Sequence, residues 1–364
     1  MNQPGGGATG ACWCGATAFA DGVHADYVVC GKCGTSVLRL LAERGRAALE
    51  KELQSYYEPK YWNEHMDELG FPRLLERARL DLAERCQWWL KHLLFYLRPP
   101  ARVLEIGCAH GAFVKLLDAT GFAATGMEMS EGILAEARRL FGVRTALGPI
   151  ETSDLPKAHF DAIVLFDVLE HFVAPEDSLR AIVAHLRPGG LVVVQTPEFR
   201  AGLAADWEHF KHPEHVHLFT RDSLLDLYRR VGLEHCAFEP PVFPYDMLAF
   251  ASAAALLRGN REASDEFLQQ TPERRLVLAM QDLYWQALGA RGNHAIAMQQ
   301  LDAARSEARA LGEAARSDRE TRSACERQLA ATRAELDRLR ASRWVRLGKG
   351  LKMVGDREAG ASTG

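Results

Sequence analysis

From Arg102 onward, short apolar runs and helix-patterned runs follow one another in strict order, and that alternation limits the fold more than any other feature of the chain. VLEI reads as a buried strand, GCAHGA as a glycine-bearing turn, and FVKLLDATG as a helix with its stop. AATGMEM is a second strand, and SEGILAEARRLFG a second helix begun by Ser130 and ended by Gly142. FDAIVLFDVLEHF runs from a buried strand into a loop, PEDSLRAIVAHLRPGG is a helix closed by Pro-Gly-Gly, and LVVVQTP is another buried strand. LEHCAFEP and YDMLAFASA supply the last two strands. Strands alternating with helices predict an α/β domain over residues 99–255, built on a doubly wound parallel sheet. Sheets of this kind bind ligands outside the carboxyl ends of their strands.

A dinucleotide would ask for G-x-G-x-x-G after the first strand. The turn here is E-I-G-C-A-H-G, with Ala109 between Gly107 and Gly111. Glu105, two residues before the first glycine, would repel a pyrophosphate and suits an ammonium group. Glu128 closes the second strand 21 residues beyond Gly107, where a carboxylate can accept both ribose hydroxyls. The helix starting near Gly111 offers unpaired backbone N–H groups to a ligand carboxylate. An ammonium, a ribose and an adenine together describe S-adenosylmethionine. The alternative keeps the glycines for turn geometry alone and Glu128 as a charge at the start of the Ser130 helix.

The segments VLEIGCAHG, GMEMS, GPIE, FDAIVLFDVLEHF and LRPGGLVVVQTP, in that order, resemble the class I S-adenosylmethionine-dependent methyltransferase family from about Pro99 to Ala255. The resemblance implies a Rossmann-like methyltransferase sheet and a set of cofactor contacts. Glu105, Gly107, Cys108 and Gly111 would frame the methionine end, and Glu128 with Met129 the ribose. Ile150 and Glu151 would lie against the adenine, and Asp167 and Val168 would close the pocket after the fourth strand. Ala109 and Glu151 stand where the family often has glycine and aspartate. The fourth-strand loop reads DVLEH, not the D/N-P-P-Y/F run of enzymes that methylate base amines. Net charge is −4 and no basic stretch flanks this core, so a nucleic-acid substrate is not expected.

KHPEHVHLFT (211–220) carries three histidines and a glutamate, and falls between the fifth strand and a helix that Thr220 should cap. That places it on the rim facing the methyl acceptor. His212, His215 and His217 fit no single helix face, which argues against a metal held by the three. Proton removal from an acceptor suits an imidazole near neutral pH, so His215 is a candidate base with Glu214 to orient a neighbouring ring, and His171 is the second candidate. A polar loop whose imidazoles satisfy main-chain groups is the bland alternative.

Cys12 and Cys14 (C-W-C-G) and Cys30 and Cys33 (C-G-K-C-G) form two thiolate pairs on tight turns, the spacing of a structural zinc ribbon over residues 1–42. Four thiolates leave zinc no open position, so its expected role is folding. Around it, two short strands are expected. A ribbon, a methyltransferase core and a Glu-His pair resemble the deoxysugar C-methyltransferases and related surface-glycan enzymes. That resemblance implies a sugar nucleotide or glycan acceptor, with Glu214 and His215 at the sugar and linked to proton removal. The one-residue gap of the first cysteine pair and Leu218-Phe219 depart from it. C- and O-methylation both stay open, as do a phenolic or other small-metabolite acceptor and a non-catalytic scaffold.

Residues 43–98 read as a helical linker in which Tyr56, Tyr57, Tyr61, Trp62 and His65 either pack on the core or form a lid. A helical segment over 256–293 leads to a 3-4 spacing from Leu301 to Leu339, in which eight of twelve positions are Leu or Ala. That spacing predicts a coiled coil over 294–347 and a homo-oligomer; a solvated single helix is the alternative. In the tail, residues 348–364 with the preceding SRWVRL, Trp344, Leu347 and Leu351 stand among basic residues as a candidate peripheral membrane contact. The start of the chain lacks a secretory pattern and no apolar run spans a bilayer, so a cytoplasmic protein is expected, with the tail at the inner face of the membrane.

Overall fold

The computed structural model describes residues 10–56 and 74–341. The lid candidates Tyr57, Tyr61, Trp62 and His65, the side chain of Tyr56, and the tail residues Trp344, Leu347 and Leu351 lie outside what is described.

Four strands run parallel: β4 (Arg102–Ile106), β5 (Ala123–Glu128), β6 (Thr145–Leu147) at one edge, and β7 (Phe160–Phe166). Next to β7 comes β8 (Leu186–Pro197), also parallel, then β11 (Asp246–Ser252) and β10 (His235–Glu239), both pairing antiparallel. The order across the seven-stranded sheet is β10-β11-β8-β7-β4-β5-β6, so it is mixed rather than wholly parallel. Central strands buried on both faces read as unbroken apolar runs, which is why VLEI and AIVLF were legible. Val103, Val164 and Val193 turn to one face with Trp89, Leu93 and Phe113. Leu104, Ile163 and Val192 turn to the other with Ile182, Leu224 and Tyr228.

The punctuation behaves as the sequence suggests. Ser130 accepts a hydrogen bond from the Ile133 N–H and opens the helix Glu131–Phe141, which ends on left-handed Gly142. Thr220 and Ser223 form a capping box at the start of Arg221–Arg230. One boundary moves. The helix Pro175–His185 ends before Pro188, and Pro188-Gly189-Gly190 instead forms the irregular start of β8, where its register with β7 shifts.

The amino-terminal ribbon has three strands rather than two: β1 (Phe19–Asp21), β2 (Tyr27–Cys30) and β3 (Ser36–Leu38). A fourth, β9 (His217–Leu218), arrives from the histidine stretch and pairs with β3, Ser36 against Leu218 and Val37 against His217. Tyr27, Val37, Leu38, Val216 and Leu218 share one small core with the cysteines. The ribbon is therefore built into the domain, within the compact unit of residues 1–286.

Within the stretch read as a helical linker, the described residues form the helices Arg46–Tyr56, Leu74–Ala83 and Arg85–Tyr96. After Arg261–Leu268, one helix runs without a break from Pro272 to Ala341. From Arg319 to Ala341 all of its residues are exposed. Among the described residues, no helix is long and apolar enough to cross a membrane.

Candidate active site

At the carboxyl end of β4 the chain turns sharply, because two N–H groups, those of Gly107 and Cys108, both donate to the Met127 carbonyl at 2.8 and 3.0 Å. Gly107 adopts φ 74°, and a Cβ there would stand 2.4 Å from Val168 Cγ2. Gly111, at φ 75°, opens the helix Ala112–Thr120. The backbone thus comes close to the loop after β7, leaving a crevice where β4 has β5 on one side and β7 on the other.

Two carboxylates mark that crevice, Glu105 buried and Glu128 half-buried. Glu105 is 6 % exposed, and its Oε2 has no hydrogen-bond partner. Burial, reinforced by the charges of Asp81 and Glu128, holds it well above the ordinary carboxylate range. Glu128 accepts from Met129 N at 2.7 Å and Ala109 N at 3.3 Å; burial raises it too. Each of its oxygens keeps a lone pair for a hydroxyl. A ligand bringing positive charge and a ribose fits this donor set, and S-adenosylmethionine does so: Glu105 would face its charge and Glu128 its ribose. Ile150 is buried, as an adenine wall requires. The Glu151 carboxylate instead takes a hydrogen bond from the Ser178 hydroxyl. Met129 is 66 % exposed at the rim, and Cys108 is buried behind the turn.

Helices that the sequence reading left as linker close this side. His110 Nδ1 accepts from Ala112 N, so its Nε2–H donates to Asp81, 2.9 Å away on Leu74–Ala83. Arg85 binds Asp167 at 2.9 Å, and Gln195 donates to the other Asp167 oxygen at 3.0 Å. Asp167 itself sits at φ 58°. Gln195 in turn accepts from the indole of Trp89, whose ring stacks on Phe166 at 3.9 Å. Asp81, Arg85, His110 and Gln195 were not singled out in the sequence; the D-x-x-x-R spacing on a helix was the available signal.

The side expected to face an acceptor is built from two loops. Leu169–His171 is a short 3-10 turn after β7, and Val216 N donates to the Glu170 carbonyl, joining it to the histidine stretch. His171 Nδ1 donates to the Glu214 carbonyl at 2.8 Å, and His215 Nδ1 to the His209 carbonyl at 2.8 Å. Main-chain carbonyls accept only, so both neutral rings carry the proton on Nδ1 and keep the Nε2 lone pair. The two rings meet edge to face at 5.0 Å. Burial lowers both pKa values, that of His215 well below the usual imidazole value, and the Glu214 charge partly offsets this for His171. The three histidines of the stretch do not converge: His212 lies 3.7 Å from Glu52, and His217 is buried with Nδ1 on the Phe172 carbonyl. Glu170, which the sequence reading passed over, is fully buried with Oε2 bonded by Thr196 and Oε1 without a partner.

In the ribbon, Cys12 and Cys33 sulfurs are 3.6 Å apart, as are those of Cys14 and Cys30, and all four lie within 4.8 Å of one another. Tetrahedral zinc with Zn–S bonds of about 2.3 Å spaces its sulfurs about 3.8 Å apart, so the four thiolates fit it. A groove of about 570 Å³ lined by Asp161, Arg187, Gly189 and Ser252 opens at the amino end of β7, away from this chemistry.

Residues 77–236 match a family described as "Methyltransferase domain". A probable S-adenosylmethionine-dependent methyltransferase of Mycolicibacterium smegmatis is 28% identical over 171 residues, 45% of this chain and 66% of that protein. A ubiquinone biosynthesis O-methyltransferase of Alkalilimnicola ehrlichii is 27% identical over 181 residues, 43% of this chain and 70% of that protein. Among solved structures, a Thermotoga maritima S-adenosylmethionine-dependent methyltransferase, described as a possible histamine N-methyltransferase, aligns with TM-score 0.40 at 23% identity, covering 50% of this chain and 96% of that one.

Proposed function

We propose that residues 77–236, which match a methyltransferase domain, form a class I S-adenosylmethionine-dependent methyltransferase domain, and that the chain methylates a hydroxyl, or an acidic carbon, of a sugar or glycan. The cofactor supplies a methyl group made electrophilic by its sulfonium. The protein's task is then to aim a nucleophile along that bond and remove its proton.

The observation that carries this reading is the pair of imidazoles packed beside the loop after β7, each fixed at Nδ1 by a main-chain carbonyl and each left with an Nε2 lone pair. His215 takes the acceptor proton, His171 orients the acceptor oxygen, and Glu214 adds negative charge near His171. Arg85 and Gln195 hold Asp167 against the cofactor end of the same space. The structural zinc of Cys12, Cys14, Cys30 and Cys33 keeps the ribbon folded behind this loop. A phenolic acceptor is the second reading, and the curated O-methyltransferase relatives favour it. The exposed helical seam supports self-association through a coiled coil.

The test is labelled S-adenosylmethionine offered with sugar nucleotides, surface glycans and simple phenols, read by transfer of label. Transfer to the sugars alone supports the first reading, and transfer to phenols alone supports the second. Cofactor binding without transfer to any acceptor would leave a scaffold and remove both.

A further inference from the structure

We propose that Glu170, His171 and His215 form a divalent-cation site of the two-histidine, one-carboxylate kind, opening onto the acceptor space. A carboxylate oxygen of Glu170 and one ring nitrogen from each histidine lie within 4.8 Å of one another. The nitrogen left to each ring is Nε2, because Nδ1 is committed to the carbonyl of Glu214 or His209. A histidine that ligates a metal usually donates its other N–H in just this way, which fixes both the tautomer and the ring orientation.

Glu170 supplies the second, independent indication. It is fully buried, Thr196 occupies one oxygen at 2.9 Å, and the other has no partner. A buried carboxylate oxygen without a partner is costly, and a cation removes that cost. Asp167 and Glu214 add negative charge around the cluster, while Lys211 opposes it. His209 stacks parallel to His215 at 6.2 Å with both ring nitrogens unbonded, close enough to back the site without joining it.

Three ligands of this type leave open positions, as in sites that bind a substrate oxygen directly, and they suit zinc or another first-row divalent ion. A bound hydroxyl would lose its proton more readily next to the cation. The inference rests on the proposed methyl transfer for its place in the reaction, and on these three side chains alone for binding. With the cation in place, His215 would hold the metal, and the acceptor hydroxyl would ionise against the cation, its proton passing to solvent water.

The experiment is a titration of the full-length protein, purified with its ribbon zinc, with cobalt(II) chloride, read by calorimetry and visible absorption. One equivalent should bind without thiolate-to-metal charge transfer. Glu170→Gln, which keeps the Thr196 hydrogen bond, should weaken that equivalent about 10–100-fold. His171→Gln and His215→Gln should do the same and provide the test if Glu170→Gln fails to fold. His212→Gln, a neighbour outside the cluster, should leave binding unchanged. Binding confined to the cysteine site, or a second equivalent indifferent to all three variants, overturns the proposal. Loss of the methyltransferase reading would register separately, as absence of label transfer from a protein that still binds cobalt.

Discussion

The Tyr27 hydroxyl donates to the main-chain carbonyl of His215 at 2.8 Å, across 188 positions of sequence. Tyr27 is wholly buried, and the strand it begins, β2, lies between β1 and β3. The cysteine ribbon is thereby tied to the loop that carries the candidate base. Tyr27→Phe leaves that carbonyl without its donor at a cost of about 1–3 kcal/mol. We expect turnover to fall several-fold while cofactor affinity stays within a factor of two. Calorimetry with S-adenosylmethionine beside steady-state rates would show the split, and equal losses in both would contradict it.

Removal of the ribbon metal should act by the same route. Cys14→Ser with Cys30→Ser breaks the four-sulfur set, and β3 then loses the support that pairs it with His217 and Leu218. Activity should drop sharply, with cofactor binding at Glu105 and Glu128 retained. Elemental analysis should show one zinc lost per chain. A variant lacking that zinc but active as before would detach the ribbon from the site.

Glu128 carries the ribose prediction. On the proposed reading its carboxylate takes both hydroxyls, and charged hydrogen bonds of this kind contribute about 1.5–3 kcal/mol. Glu128→Ala should therefore weaken S-adenosylmethionine by at least tenfold in calorimetry. Gly107→Ala should weaken it by a different cause, because its Cβ would stand 2.4 Å from Val168 Cγ2. Adding Val168→Ala should restore part of the loss in the second case and none in the first.

The difference between what the sequence disclosed and what it concealed follows from contact range. Strands β4, β7 and β8 were legible because both their faces are buried, so composition alone marks them. Glu105, Gly107, Gly111 and Glu128 were legible because one turn and one strand end bring them together. β9 was not: two residues carry no periodicity, and its partner β3 lies about 180 positions away. Glu170 went unremarked beside His171 because nothing local tells a buried carboxylate from a solvated one. The Arg85–Asp167 ion pair was missed for the same reason, since it joins a linker helix to a strand end.

His92 gives the protein a built-in sensitivity to acid. It is 3 % exposed, its Nδ1 lies 3.2 Å from Glu239 but out of hydrogen-bond alignment, and burial lowers its pKa from 6.5 to about 4. The folded-state pKa is below the unfolded one, so the unfolded chain binds the proton more readily. Stability is therefore full above pH 6.5 and is lost as pH falls from 6.5 towards 4. At pH 5 the loss is about 2 kcal/mol. Denaturant melts at pH 7.5 and pH 5 should differ by about that much more in the wild type than in His92→Phe. An equal difference in both would assign the acid sensitivity elsewhere.

The carboxyl-terminal helix makes the remaining prediction. Leu329, Leu336 and Leu339 are 54 %, 46 % and 58 % exposed, and with Cys325 and Thr332 they continue the 3-4 spacing along one face. A solitary helix gains nothing from leucines so arranged, whereas a parallel pair would bury them and set Glu335 of one copy near Arg340 of the other. In such a pair each Cys325 faces its counterpart, while an antiparallel pair would separate them. The full chain should therefore sediment as a dimer, and mild oxidation should link it through Cys325. Leu329→Glu with Leu336→Glu should yield a monomer that still binds S-adenosylmethionine. A wild-type chain that sediments as a monomer would leave this seam solvated, and a dimer that oxidation cannot link would run its helices the other way.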